Sequence, residues 1–336
     1  MAKRPTINDV AHLAGVSIMT VSRVMREQPN VKEKTRERVL KAIKALNYHP
    51  TFSARALSKN ITGNIGLIVT HKKTYDDIFS YIANGIANAC FRHNYSLMTF
   101  THSIDPDHLP PMITQRKVDG VIIGGAGITP QILDKINSIG LPMVIVHNHI
   151  ESPSVNSVLP EDFEGAYNAV RYLISLGHKN IACVMANSSD YSTQKRLQGY
   201  QLALISSGLA IKDDFIIQVN LSADCGHEAG KKVLATPHRP TAVFCTDDIL
   251  AIGVFNALSE AGIDIPEDIS LIGFGNLEAS KMTQPNLTTV HFEKELVGVL
   301  AVHKLLEYLQ YKEIPAAKTL LPTKLVVRNS CTRIYN

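Results

Sequence analysis

The sequence predicts a small all-α head carrying a helix-turn-helix, joined to an α/β body of two doubly wound subdomains. Three observations predict it. Residues 6–26 read as two short helices around a glycine turn. From Asn64 onward, short apolar runs alternate with amphipathic helices, the pattern of buried parallel strands with helical crossovers. Charge is also divided: residues 1–60 carry 12 Lys+Arg against 4 Asp+Glu, and the rest 22 against 26. A basic module on a mildly acidic body is the electrostatic footprint of a nucleic-acid-binding head joined to something else.

In the head, Thr6 caps the first helix and Asp9 supplies the returning carboxylate of a capping box. Val10, Leu13 and Ala14 share one helical face, and Gly15 ends the helix where a left-handed backbone is cheapest. Ser17 caps the second helix, whose inner face is Val21 and Val24. Ile18, Met19, Ser22 and Arg23 remain outside, on the helix that such a motif lays in the major groove of DNA. The bland alternative is an ordinary helical hairpin. A third helix, Lys32 to Leu46, turns Val39, Ile43 and Leu46 inward and Lys34, Arg36, Arg38, Lys41 and Lys44 outward. Lys32 is a poor cap, and Asn30 is the alternative. The DNA-contacting candidates are Thr6, Ser17, Ile18, Met19, Thr20, Ser22, Arg23 and Asn30, with Arg23, Ile18 and Met19 reading bases. Lys3, Arg4 and the outer face of the third helix are expected on phosphates.

Pro50 stops the third helix. Ser53 to Ser58 spans under two turns, far short of the ~12–15 residues that make an isolated helix stable. By its residues alone this stretch is a flexible linker.

The body begins with strands at Ile65–Val69, Leu97–Phe100, Val121–Ile123 and Met143–Val146, separated by helices near 76–92, 106–117 and 130–139. A second series follows: helix 163–176, strand 181–185, helix 194–207, strand 215–219, helix 223–235, strand 242–245, helix 248–261 and strand 269–273. The expected domains are 1–48, a linker 49–61, and 62–336, the last divided into about 62–160 plus 291–320 and 161–290 plus 321–330. Sheets of this kind bind ligands beyond the carboxyl ends of their strands, and two in tandem enclose a cleft.

Other function classes lack their signatures. The composition, 45% hydrophobic and 19% charged, is that of an ordinary globular chain. No apolar run reaches the ~20 residues of a membrane span, and the start has no secretory pattern, so a cytoplasmic protein is expected. Five scattered cysteines with no CxxC pair read as reduced thiols. Gly124-Gly125-Ala126-Gly127 fails as a dinucleotide loop, because Pro130 stands where the third glycine belongs. His147-Asn148-His149 shows no third metal ligand nearby. No phosphate loop or nucleophile elbow occurs, which weighs against the rival class, a sugar kinase with a DNA-binding head. No cofactor is expected.

Asp9-Val10-Ala11, Ala14-Gly15-Val16-Ser17 and Thr20-Val21-Ser22-Arg23-Val24 resemble the signature of the lactose-repressor/galactose-repressor family of bacterial regulators. Further blocks resemble it in order: Gly177-His178-Lys179-Asn180-Ile181-Ala182, Arg196-Leu197-Gln198-Gly199-Tyr200, Ala251-Ile252-Gly253, Ile265-Pro266-Glu267-Asp268-Ile269-Ser270 and Pro285-Asn286-Leu287-Thr288-Thr289-Val290. The resemblance implies a homodimeric repressor on a pseudo-palindromic operator, controlled by a small effector in a body that resembles periplasmic sugar-binding proteins. It implies that residues 49–61 form a hinge helix on DNA, with Ala54 and Leu57 at the minor groove and Leu57 as the wedge. It implies effector contacts at Phe79, His147, Arg196, Asp247, Gly275 and Asn276, with Phe79 stacking on a ring. The chain departs from the family at Lys32, Thr51, Glu161-Asp162 and Asp247. Most sugar-binding members carry Asp where Gly275 stands, and Gly273-Phe274-Gly275 resembles the gluconate-repressor branch. Losing that carboxylate favours an anionic ligand on Arg196, so a sugar acid is the leading expectation and a neutral sugar or nucleobase the alternative. The lactose repressor's leucine-heptad tail has no counterpart after Arg328, which points to a dimer.

Overall fold

The computed structural model describes residues 5–25, 28–48, 61–70, 77–101, 108–125, 128–152, 155–187, 189–311 and 315–334. The chain forms two compact units, 1–63 and 64–336.

The first unit contains α1 (Ile7–Ala14), α2 (Ile18–Met25) and α3 (Glu33–Ala45). The capping box is formed: the Thr6 N–H donates to Asp9 Oδ2 at 2.7 Å, and the Asp9 N–H to Thr6 Oγ1 at 3.4 Å. Gly15 takes φ +62 at the turn. The Thr20 N–H donates to Ser17 Oγ at 3.2 Å, which caps α2. Val10, Ala11, Ala14, Val21, Val24, Val39, Ala42 and Tyr48 make the core. Leu13, expected inside, is 55% exposed, because the buried stripe of α1 runs through Ala11 instead. Arg38 is not a spare outward cation: its Nε donates to Ala14 O at 3.1 Å and its Nη2 to Gly15 O at 3.0 Å. It closes the orphan carbonyls at the end of α1. Arg36 likewise donates to Gln28 O at 2.9 Å. Lys32 precedes α3 without any side-chain cap, and Asn30 lies in the exposed turn before it.

The second unit holds two six-stranded sheets. In the first, β1 (Asn64–Val69), β2 (Ser96–Phe100), β3 (Gly120–Gly124), β4 (Met143–Val146), β5 (Asn156–Pro160) and β11 (Lys318–Leu321) run parallel in the order β11-β5-β4-β3-β1-β2. In the second, β6 (Ile181–Ala186), β7 (Ile216–Val219), β8 (Ala242–Cys245), β9 (Ser270–Phe274) and β10 (Thr288–His291) are parallel, and β12 (Lys324–Val326) closes the edge antiparallel to β10. Runs such as Ile65–Val69, buried on both faces, suit strands covered by helices on either side. The covering helices are α4 (Asp77–Arg92), α5 (Pro111–Thr114), α6 (Pro130–Ile139), α7 (Asp162–Ser175), α8 (Tyr191–Ile205), α9 (Ala223–Leu234), α10 (Asp248–Glu260) and α11 (Lys294–Tyr311).

One expected helix is much shorter than its stretch. Instead of 106–117, the described chain has the four residues of α5, begun at Pro110-Pro111 and followed by Arg116 at φ +54. Residues 102–107 lie outside the described chain. The chain passes between the sheets at Glu161, between His291 and Lys294, and between Leu321 and Lys324. Two crossings are tied together, since the Glu161 N–H donates to Leu321 O at 2.9 Å. Among the described residues no helix is long and apolar enough to cross a membrane.

Candidate functional site

On the first unit, α2 presents Ile18 and Met19, 48% and 63% exposed, with Arg23 exposed and Ser22 half-buried beside them. The spacing that buries Val21 and Val24 turns these residues outward. Ser17 and Thr20 are partly committed to each other, their hydroxyls 2.9 Å apart. The Thr6 hydroxyl donates to Asp9 Oδ2 at 2.7 Å. Lys3, Arg4, Ala54 and Leu57 lie outside the described residues.

On the second unit, the carboxyl ends of both sheets converge on Arg196. Strand β4 delivers His147, β5 leads to Asp162, β8 to Thr246 and Asp247, and β9 to Gly275 and Asn276. Arg196, on α8, is 4% exposed. Its Nε donates to Asp162 Oδ1 at 2.7 Å and its Nη1 to Thr246 O at 2.7 Å. Its Nη2 lies 3.4 Å from His147 Nε2, which must accept because a guanidinium can only donate. The guanidinium plane sits 3.8 Å from the Phe274 ring centroid. His147, at φ +53, stacks on Phe292 with centroids 5.8 Å apart at 16°. Burial alone would push the Arg196 guanidinium down. The charges of Asp162, Asp247 and Asp190 outweigh that and hold it above its ordinary value.

These three carboxylates are placed by helix starts. Asp162 opens α7, Asp190 caps α8 by accepting the Thr193 N–H at 3.0 Å, and Asp247 caps α10 by accepting the Ile249 N–H at 2.9 Å. Asp162 Oδ2 is fully buried with no hydrogen-bond partner among the described residues.

The remaining candidates sit differently from expectation. Phe79 is 2% exposed, and its ring fills the space over Gly124, where any side chain would collide with it. It is a core residue rather than an open stacking face. Gly275, at φ +128, lies under Ile78 of α4, which approaches to 3.1 Å of where its Cβ would stand. Asn276, at φ +49, is held on three sides: its N–H donates to Thr289 Oγ1 at 3.2 Å, its Nδ2 to His291 Nδ1 at 3.1 Å, and its Oδ1 accepts from Arg328. Its amide is therefore engaged with the frame of the cleft. Asp248, beside Asp247, is wholly buried and accepts from the Leu277 N–H and the Thr289 hydroxyl. Burial pushes its carboxyl above the usual range.

Sequence reasoning did not single out Asn148, Tyr191, Ser192 or Ile78. Asn148 Oδ1 accepts the Tyr191 N–H at 3.2 Å, and Ser192 Oγ donates to His147 O at 3.4 Å, so these residues bridge the two halves. His149 meets the Tyr191 ring edge-on at 5.2 Å and contacts Ser157 and Glu151. Among the described residues no group of three or more His, Cys, Asp or Glu is placed to hold a metal ion.

A basic three-helix head with a helix-turn-helix, in one chain with a two-sheet α/β body, is the combination of a DNA-binding regulator. Residues 6–51 match the model for bacterial regulatory proteins of the lacI family, and residues 170–331 match a periplasmic binding protein-like domain. The HTH-type transcriptional repressor PurR of Mannheimia succiniciproducens is 35% identical over 333 residues, covering 98% of this chain and 99% of that one. The Lac repressor dimer bound to operator and the anti-inducer ONPF superposes with a TM-score of 0.84 at 27% identity, covering 98% and 100%. A LacI family transcriptional regulator from Enterococcus faecium with bound ribose gives 0.72 at 27% identity, covering 81% and 100%. The chain belongs to the lacI family of bacterial regulatory proteins and is a DNA-binding transcriptional regulator of that type.

Proposed function

We propose that this chain is a homodimeric cytoplasmic repressor of carbohydrate-catabolism genes whose operator affinity is set by a neutral, polyhydroxylated small molecule such as a sugar. The observation that carries the ligand class is the saturation of Arg196 by carboxylate charge. Arg196, the cation expected to hold a sugar acid, is already paired with Asp162 and flanked by Asp190 and Asp247. An added anion beside Arg196 would meet the charges of Asp162, Asp190 and Asp247. Hydroxyl groups suit it better: Asp162 Oδ2 and Asp247 accept, and the Arg196 fork donates. The sugar-acid expectation is set aside for this reason. The Enterococcus faecium relative with ribose is consistent with a sugar.

In this reading Ile18, Met19 and Arg23 read bases, Ala54 and Leu57 act at the minor groove, and the body halves turn about the three crossings when ligand binds. A nucleobase is the competing ligand, raised by the relatives named PurR. Against it, Phe274 already carries Arg196 on its face and Phe292 carries His147. Calorimetric titration of the full chain with neutral sugars, uronic acids and purines tests the reading. Binding confined to neutral sugars supports it, and binding confined to purines or acids overturns it.

A further inference from the structure

The first turn of α2 sets two large apolar side chains in water. Ile18 and Met19 are 48% and 63% exposed, although the inward face of the same helix is occupied by Val21 and Val24. The hydroxyls beside them are engaged in capping: Ser17 Oγ accepts the Thr20 N–H at 3.2 Å and lies 2.9 Å from Thr20 Oγ1. Ser22, on the next turn, is half-buried. Arg23 is exposed and brings a guanidinium fork to the same face, four residues after Met19. Four residues of helix rise about 6 Å, close to two base-pair steps of about 3.4 Å. The outward surface of α2 thus pairs an apolar tip with one long hydrogen-bond donor.

A major groove shows base-edge donors, base-edge acceptors and one apolar group, the C5 methyl of thymine. Ile18 or Met19 pressed against a donor or acceptor would strip it of water and offer no partner. Against a thymine methyl, two apolar surfaces leave water together. The Arg23 fork matches the paired acceptors O6 and N7 of guanine. We infer, resting on the base-reading role given to α2 above, that Ile18 and Met19 select thymines through their methyl groups. Each operator half-site then carries one or two such thymines about two base pairs from the guanine held by Arg23. Burying a single methyl group is worth about 3- to 5-fold in affinity.

The test selects duplexes from a random pool on the full-length protein, with and without the sugars and purines titrated above. Each thymine of the selected half-site is then replaced by deoxyuridine, which removes only the methyl group. Fluorescence anisotropy should show one or two positions per half-site where the replacement weakens binding about 3- to 5-fold. Ile18→Ala or Met19→Ala, at exposed positions that the fold does not need, should bind the thymine duplex more weakly and lose that discrimination at the matching position. A defined operator with no thymine of this kind overturns the inference and leaves base reading by α2 intact. So does a deoxyuridine penalty that persists in both alanine variants, because the methyl then acts elsewhere or through the duplex itself. Selection of no defined sequence under either condition, or an equal loss from Arg23→Ala on selected and random duplexes, overturns the base-reading role as well.

Discussion

Arg196 and Asp162 meet at 2.7 Å between Nε and Oδ1, and their side chains are 4% and 1% exposed. Arg196 comes from a helix of one half, and Asp162 stands at the point where the chain has just crossed from the other. The pair therefore sits at once on a crossing and in the cleft. Its second carboxylate oxygen has no hydrogen-bond partner among the described residues.

Removing one member should be severe. Asp162→Ala leaves a buried guanidinium without its partner and should lower the stability of the body by about 3–5 kcal/mol. Urea denaturation followed by circular dichroism measures it. A loss below about 1 kcal/mol would mean that water or Asp247 compensates the charge. Effector response should vanish in the same variant at temperatures where it is folded.

Arg23→Ala should cost about 1–3 kcal/mol on the true operator and little on random DNA. Fluorescence anisotropy on both duplexes separates the outcomes. An equal loss on the two would reassign Arg23 to the phosphates.

Arg38 and Lys41 should behave oppositely, although both are basic residues of α3. Arg38→Ala removes the group that closes Ala14 O and Gly15 O and should destabilise the head by about 1–2 kcal/mol. Lys41→Ala should leave head stability within about 0.5 kcal/mol, and on DNA it should lower affinity equally across sequences. Thermal melts alongside binding to random duplex DNA check both.

The body should weaken in mild acid. His178 is 1% exposed, with Nδ1 against Thr241 Oγ1 at 3.0 Å and Nε2 against Thr332 O at 3.1 Å. Burial holds its ring below the ordinary histidine value of 6.5, more than the Thr332 hydrogen bond raises it. The neutral ring therefore contributes stability that is complete above pH 6.5 and is lost as pH falls through the lower folded value. Urea midpoints should drop between pH 7.5 and pH 5, and His178→Gln should flatten that slope. An unchanged slope would place the acid sensitivity elsewhere.

Local chemistry explains what could be read from the sequence. The Thr6–Asp9 box, the Gly15 turn and the inward Val21 and Val24 depend on neighbours within four residues, so spacing alone reveals them. Apolar runs such as Val121–Ile123 and Met143–Val146 mark doubly covered strands for the same reason. Strand β5 escaped because Asn156 and Ser157 break its apolar run. The Asn156 Oδ1 accepts the Ala317 N–H, 161 residues away. Arg38 read as a surface charge because its carbonyl partners lie 23 and 24 residues earlier. Arg196 read as an effector contact because Asp162 is 34 residues away, and Gly275 read as a lost carboxylate because nothing local shows Ile78 beneath it. Composition at one position suggested an anionic ligand, and the carboxylates gathered around Arg196 weigh against that reading.

The most direct test of this account is a calorimetric comparison, on the full chain, of a neutral sugar with the acid of the same ring, D-glucose with D-glucuronate and D-galactose with D-galacturonate. The account predicts that wherever a pair binds, the neutral member binds tighter, and that Arg196→Ala abolishes binding. Tighter binding of the acid by the wild-type protein would contradict it, because Arg196 would then be available to a ligand anion despite Asp162, Asp190 and Asp247.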